Sequence, residues 1–400
     1  MLLVGSGGRE HALAWKLARN PSLTALHCAP GNPGIARHAR CHPVRAEDAE
    51  GLLALALELA VNLVVVGPEA PLVAGVADAL RGNGVATFGP SGAAAAIEGS
   101  KSFAKDVMRA AGVPAAGAMS VARAPCVLKA DGLAAGKGVF VCRTQRELDA
   151  ALPAVASLGQ RLVIEELLEG TEFSVFALCD GVNAIPLPPA QDFKRAFDGD
   201  AGPNTGGMGS YAPAPDVDVQ ELVDMIHRPV LEELARRDAT FVGVLFAGLM
   251  LTENGPRVLE FNCRFGDPET QSLVPLVDDT LLEALVACAA GDARHVDITA
   301  ADESAVTVVV AAERYPDAGD RGSPIAGVED AEATGALVFH AGTALHDDVL
   351  VTNGGRVLGV TATGSTLAAA RDRAYDAAGR ISFSGARFRT DIAREAAAVV

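Results

Sequence analysis

The 400-residue sequence is short of basic residues: 33 Lys and Arg stand against 50 Asp and Glu, a net charge of −17. That balance excludes a general nucleic-acid binder, which needs a basic footprint. The charge is spread along the chain with no acidic or basic tail, so it speaks mainly for solubility. No apolar run is long enough to span a bilayer, so no membrane association is expected. The start, "MLLVGSGG", has no basic n-region and turns glycine-rich at once; it reads as a strand, not a secretory signal. Seven cysteines, an odd number without paired metal-type spacing, fit reduced thiols in a cytosol better than a disulfide framework. Long linkers, repeats and low-complexity tracts are absent, and no Ser, Cys or His triad stands out.

What is present is apolar and regularly punctuated. Hydrophobic residues make up 50% of the chain, and the length predicts about two to three domains. Residues 1–97 alternate strands ("MLLV", "TALHCAP", "NLVVVG", "VATFGP") with helices, the pattern of a parallel α/β sheet. A helix from Ser100 carries Lys101 and Lys105 one turn apart and closes at Gly112. Thr144 and Glu147 form a capping box that opens another helix. "FVGVLFAGLML" and "RVLEFNCRFG" are joined through Asn254-Gly255, a hairpin signal. A new block begins near residue 300, with strands, a hairpin expected in "VLVTNGGRVLGVTATG", and a closing helix. The divisions are 1–97, 98–300 with a subdomain at about 114–170, and 301–400.

Two nucleotide motifs are excluded. In "KADGLAAGKGV" Gly132 and Gly136 are one residue too close for a Walker loop, and Gly138 stands where its hydroxyl should be. "GSGGRE" has Glu10 in place of the third glycine of a dinucleotide fingerprint. It still offers backbone N–H groups at a helix start, an anion site if it is not simply a tight turn. Glu260 and Asn262, two apart on a strand, share one face. An acid and an amide on an otherwise buried strand call for a ligand, and hard oxygen donors suit Mg²⁺. The plain alternative is a strand end hydrogen-bonded to a loop. Taken alone, "PNTGGMGSY", "QDFKR" and "IEELLEGTEFS" read as surface turns and an acidic connection.

In this order, "GSGGREHALAWKL", "FGPSGAAAAIEGSK", "KADGLAAGKGV", "GPNTGGMGSYAPAP", "EFNCRFGDPETQ" and "FHAGT" resemble the ATP-grasp superfamily, and within it the phosphoribosylamine–glycine ligase family. The resemblance spans nearly the whole chain. It implies an α/β ATP-grasp fold: an N-terminal parallel α/β domain, a mobile lid and a small C-terminal α+β domain. ATP with Mg²⁺ or Mn²⁺, the substrates glycine and 5-phosphoribosylamine, a monomer and a cytoplasmic place in purine synthesis go with it. Lys105, Lys129, Gly136, Lys137 and Gly138 would meet the nucleotide phosphates, with the loop at 131–138 ordering over them. Glu165, Glu166 and Leu168 would form the adenine hinge, Glu172 would hold the ribose, and Glu260 and Asn262 the metal. Arg264 and Asp267 would orient glycine or its acyl phosphate, with Lys129 assisting, and Asp192 would take the glycine amine. Gly7, Gly8, Arg9 and Glu69 would face the sugar phosphate. Phe193 replaces the family's histidine in "QDFKR", and Glu313 and Arg314 replace small residues before Tyr315-Pro316. Another ATP-grasp carboxylate–amine ligase and a non-catalytic nucleotide sensor are the alternatives; intact Lys129, Glu260 and Asn262 speak against the second.

Overall fold

The computed structural model describes residues 1–133, 138–159, 161–214 and 217–398. Its first 98 residues form a five-stranded parallel sheet, in the order Arg40–Cys41, His27–Pro30, Leu2–Gly5, Val64–Val66, Thr87–Phe88. The two central strands, Leu2–Gly5 and Val64–Val66, are continuously apolar and buried, as parallel strands covered by helices on both faces must be. The C-terminal ends of all five strands point to one edge, where Gly7, Gly8 and Glu69 begin the following helices.

The centre is a four-stranded antiparallel sheet, ordered Ala184–Pro186, Thr171–Asp180, Val242–Thr252, Gly255–Asn262. Alternate residues serve two cores, because successive side chains leave a strand on opposite faces. Phe173, Val175, Leu245 and Leu249 pack with Val107, Met108, Val230 and Leu234 of two helices. Phe176, Leu178, Val244 and Phe246 pack with Leu281 and Leu285, and through them with Leu3, Leu13 and Val65 of the first sheet. The first sheet and the central sheet thus share a core and hold each other in place.

A small sheet of Val139–Cys142, Cys126–Ala130 and Leu162–Glu166 has its own core of Cys126, Leu128, Cys142, Leu148, Ala151 and Val155. Its helix, Gln145–Ser157, starts with the expected Thr144–Glu147 capping box. With so small a core, this unit is held to the rest mainly by the polar contacts described below.

The last sheet crosses the division expected at residue 300. Its order is Gln191–Asp192, Gly209–Ala212, Ser304–Ala311, Arg356–Gly364, Leu337–His340. Two strands from the middle of the chain therefore complete a C-terminal sheet. The hairpin expected in "VLVTNGGRVLGVTATG" does not form. Val349–Gly354 pairs instead with Asp320–Pro324 and Thr343–His346, while Arg356–Gly364 enters the larger sheet. Gly354 packs against Gly342, and the Gly342 amide bonds the Arg356 carbonyl, so the chain changes sheets at this point rather than folding back on itself.

Candidate active site

Glu165 lies 2% exposed and joins two lysines from different elements: Lys105 Nζ at 2.8 Å and Lys129 Nζ at 2.8 Å. Lys105 comes from the helix Lys101–Ala111, set by its Ser100 cap and by Ala104, Val107 and Met108 beneath it. Lys129 stands on the strand Cys126–Ala130, beside Glu165 on Leu162–Glu166. Two cations on one buried carboxylate leave a net positive point, which suits an incoming phosphate chain. The carboxylate of Glu165 is thus taken up by these two lysines. Glu166 is exposed, and its Oε1 accepts from the Gly117 amide at 2.7 Å. Glu166 and Leu168 line a cavity of about 880 Å³ together with Leu251, Asn254 and Arg257. Gly138 is buried, its carbonyl bonded to Ala130 N; Gly136 and Lys137 lie outside the described residues.

The two lobes meet at a β-bulge. Glu260 pairs with Gly248 and Val258 with Leu249, so Leu259 is an extra residue on its strand. Its carbonyl turns from the ladder and accepts Lys129 Nζ at 2.8 Å. Beyond the bulge Glu260 and Asn262 keep the spacing that puts them on one face. A second carboxylate group gathers round Lys194. Its Nζ lies 2.6 Å from Asp192 Oδ1 and 2.8 Å from Glu172 Oε1. Burial disfavours the Lys194 charge, yet Asp192, Glu172, Glu269 and Glu260 outweigh it and hold its pKa well above the ordinary value. Burial raises the Asp192 carboxyl against the pull of Lys194, and burial together with Asp192 brings Glu269 up to about 7.

One lysine among four carboxylates is an unbalanced site, and added positive charge would balance it. Among the described residues no three His, Cys, Asp or Glu form a closed metal cage. An acid–amide pair with open positions instead fits Mg²⁺, which completes its shell with phosphate and water.

On the far side, Arg264 reaches four partners: Glu98 Oε1 at 3.1 Å, the Phe265 carbonyl at 3.3 Å, Glu69 Oε2 at 3.4 Å and Asn262 Oδ1 at 3.4 Å. Burial opposes its charge, but Glu98 and Glu69 raise its pKa further. Glu98 also accepts the Cys263 amide at 2.7 Å, which fixes the chain just before Arg264. Arg9, buried, bonds Glu10 Oε1 at 2.6 Å and the Phe265 carbonyl at 2.9 Å. Glu10 takes the Gly7 amide at 2.6 Å, so one of the N–H groups at this helix start is already satisfied. Asp267 Oδ2 lies 3.4 Å from where a β-carbon on Gly7 would stand, and Gln271 Nε2 lies 2.6 Å from that of Gly8. Burial pushes the Asp267 carboxyl up, but Arg356 and Arg9 outweigh it and keep it below the usual range. Gly7, Gly8, Arg9, Glu69, Arg264 and Asp267 therefore lie along one edge, cross-linked among themselves and their neighbours, while Asp192 stands with Lys194 in the other group.

Comparison with known proteins decides the lineage. Residues 1–98, 99–270 and 305–395 match the N domain, ATP-grasp (A) domain and C domain of phosphoribosylglycinamide synthetase. A phosphoribosylamine–glycine ligase of Streptomyces coelicolor is 51% identical over 416 aligned positions, covering 99% of this chain and 99% of the relative. The chain belongs to the phosphoribosylglycinamide synthetase family. The crystal structure of phosphoribosylamine–glycine ligase from Thermotoga maritima superposes with a TM-score of 0.85 at 34% identity, covering 98% of this chain and 99% of that one. A biotin carboxylase domain of Hydrogenobacter thermophilus shares the fold alone: TM-score 0.70 at 17% identity, over 97% of this chain and 91% of that domain.

The fold is thus the ATP-grasp fold of this family. Within it, sequence reasoning gave no role to Lys194, Glu98, Glu269, Tyr315 and Arg356, although Glu269 stands close behind Arg264 and Asp267 in the chain. Lys194 stood in "QDFKR", a stretch that reads as a surface turn until Asp192 and Glu172 are seen around it. The others carry no local signal, since their partners lie far along the chain.

Proposed function

We propose that the protein ligates glycine to 5-phosphoribosylamine with ATP, giving glycinamide ribonucleotide, ADP and phosphate. The observation that carries this reading is the contact of Lys129 with the Leu259 carbonyl, one residue before Glu260. It brings the phosphate-side lysines and the metal-type pair to one point, where a γ-phosphate would be transferred. Family membership and the paired carboxylates beside Lys194 support glycine as the group activated there.

In the first step a glycine carboxylate oxygen attacks the γ-phosphorus, the bond to the β-phosphate breaks, and ADP leaves. In the second step the amine nitrogen of phosphoribosylamine attacks the acyl carbon; phosphate leaves and the nitrogen gives up a proton. Lys105 and Lys129, held by Glu165, neutralise phosphate charge. Glu260 and Asn262 would hold Mg²⁺ or Mn²⁺, whose chemistry is charge neutralisation on the phosphates. Glu172 and the hinge at Glu166 to Leu168 would face the ribose and adenine. Asp192 would take the glycine amine, and Arg264 and Asp267 would orient the acyl group against the acceptor. Gly8, Arg9 and Glu69 would border the sugar phosphate. Positioning and electrostatics supply the rate, and no side-chain nucleophile is required.

ADP release measured with ATP, magnesium, glycine and freshly generated phosphoribosylamine, each omitted in turn, tests the reading. Turnover should require all four. Turnover supported by bicarbonate or formate in place of glycine would reject it.

A further inference from the structure

The glycine-rich segment "GPNTGGMG" and the segment "NGGR" have no place in the reaction described above, yet they touch. Arg356 Nη1 donates to the Gly206 carbonyl at 2.5 Å and to the Asp267 carbonyl at 2.7 Å, and lies 3.4 Å from Asp267 Oδ1. Tyr315 Oη accepts the Gly206 amide at 2.9 Å. The fit leaves no room for side chains. A β-carbon on Gly206 would stand 3.1 Å from Arg356 Cζ, and one on Gly355 would stand 2.3 Å from the Tyr315 ring. The clamp continues inward, because Thr205 donates to the Lys194 carbonyl from both its amide, at 2.7 Å, and its hydroxyl, at 2.8 Å. A single guanidinium of the C-terminal region therefore ties the Lys194 segment to the Asp267 segment.

We propose that Arg356, seated against Tyr315, is a positioning residue for the amine acceptor: it sets Asp267 and the Lys194 loop in register so that the acceptor meets the activated glycine. This rests on the ligase reading above. Asp267 faces the Gly7 end of the first helix, on the acceptor side, whereas Lys105 and Lys129 belong to other elements that Arg356 does not touch. Loosening the clamp should thus weaken acceptor use and spare the nucleotide.

The test is steady-state kinetics on the full chain, varying ATP, glycine and phosphoribosylamine separately. Wild-type turnover is measured first; if it is absent, the ligase reading fails, not the role of Arg356. Arg356→Ala should raise KM for phosphoribosylamine by roughly tenfold or more, the loss of a charge-assisted hydrogen bond, with KM for ATP unchanged. Arg356→Lys keeps a donor for the two carbonyls and should recover most of the loss. Tyr315→Phe removes only the acceptor for Gly206 N–H and should shift the same constant, less. It decides the matter if the alanine variant does not fold. Unchanged KM for phosphoribosylamine, or all three KM values rising together with a lowered thermal midpoint, would overturn the proposal.

Discussion

Lys129 and Glu165 are joined at 2.8 Å on neighbouring strands, with Lys105 on the other carboxylate oxygen at 2.8 Å. On the ligase reading proposed above, this carboxylate is the protein's own counter-ion for the two lysines that would meet phosphate. Glu165→Gln should leave two confined lysines with no charge to face and lower the stability of the nucleotide-free protein by roughly 3 kcal/mol. ATP or ADP would supply the missing negative charge. Thermal midpoints with and without nucleotide should therefore differ more in the variant than in the wild type. An equal nucleotide shift in both would show that Glu165 does not balance the phosphate site.

Lys129→Met removes the cation that bonds both Glu165 and the Leu259 carbonyl. Nucleotide affinity and turnover should fall together by about tenfold to a hundredfold, since a charge-assisted hydrogen bond contributes roughly 1.5–3 kcal/mol. Calorimetric titration with a non-hydrolysable ATP analogue, set beside kcat, checks this. A change in kcat with unchanged affinity would move Lys129 out of the ground-state phosphate site.

Glu260→Gln is close to isosteric and sits on a strand held by seven paired positions, so the fold should persist. The magnesium concentration needed for half-maximal turnover should rise by roughly tenfold or more, because one of the two donors loses its charge. A magnesium titration that overlays the wild type would take Glu260 out of the metal pair.

Glu269 gives a pH signature. Burial and Asp192 raise its carboxyl to about 7 in the folded chain, above the ordinary glutamate value of 4.5. The folded state thus binds this proton more tightly than the unfolded state does. Its contribution is favourable below about pH 4.5 and is lost as the pH rises towards 7. Glu269→Gln should therefore stabilise the ligand-free protein at pH 8, by up to about 3 kcal/mol, and change little at pH 5. Urea midpoints at the two pH values test it; an equal change at both would show that Glu269 is ionised throughout.

Much of this architecture is legible in the chain. Apolar runs and their glycine and proline punctuation place four of the five parallel strands of the first sheet, missing the edge strand Arg40–Cys41, and the hairpin at 242–262. The box at Thr144 places its helix to the residue. Lys129 is legible as a lysine on a strand, and Glu260 with Asn262 as two donors on one face. What is not legible depends on long-range pairing. Nothing near Glu165 announces Lys105. Val349–Gly354 looks like one arm of a hairpin until Asp320–Pro324 and Thr343–His346 claim it as the middle strand of another sheet. Phe193 looks like a lost histidine, yet the Arg389 guanidinium lies over its ring at 5.1 Å, a cation–π contact supplied from the other end of the chain.

The central claim is that glycine is activated here as an acyl phosphate and then captured by an amine. Glycine labelled with ¹⁸O in its carboxylate tests it directly. With ATP, magnesium and phosphoribosylamine present, each phosphate released should carry one ¹⁸O, because the bridging oxygen stays with phosphorus when the amine displaces it. Unlabelled phosphate accompanying glycinamide ribonucleotide, or ADP formed at the same rate without glycine, would contradict the account.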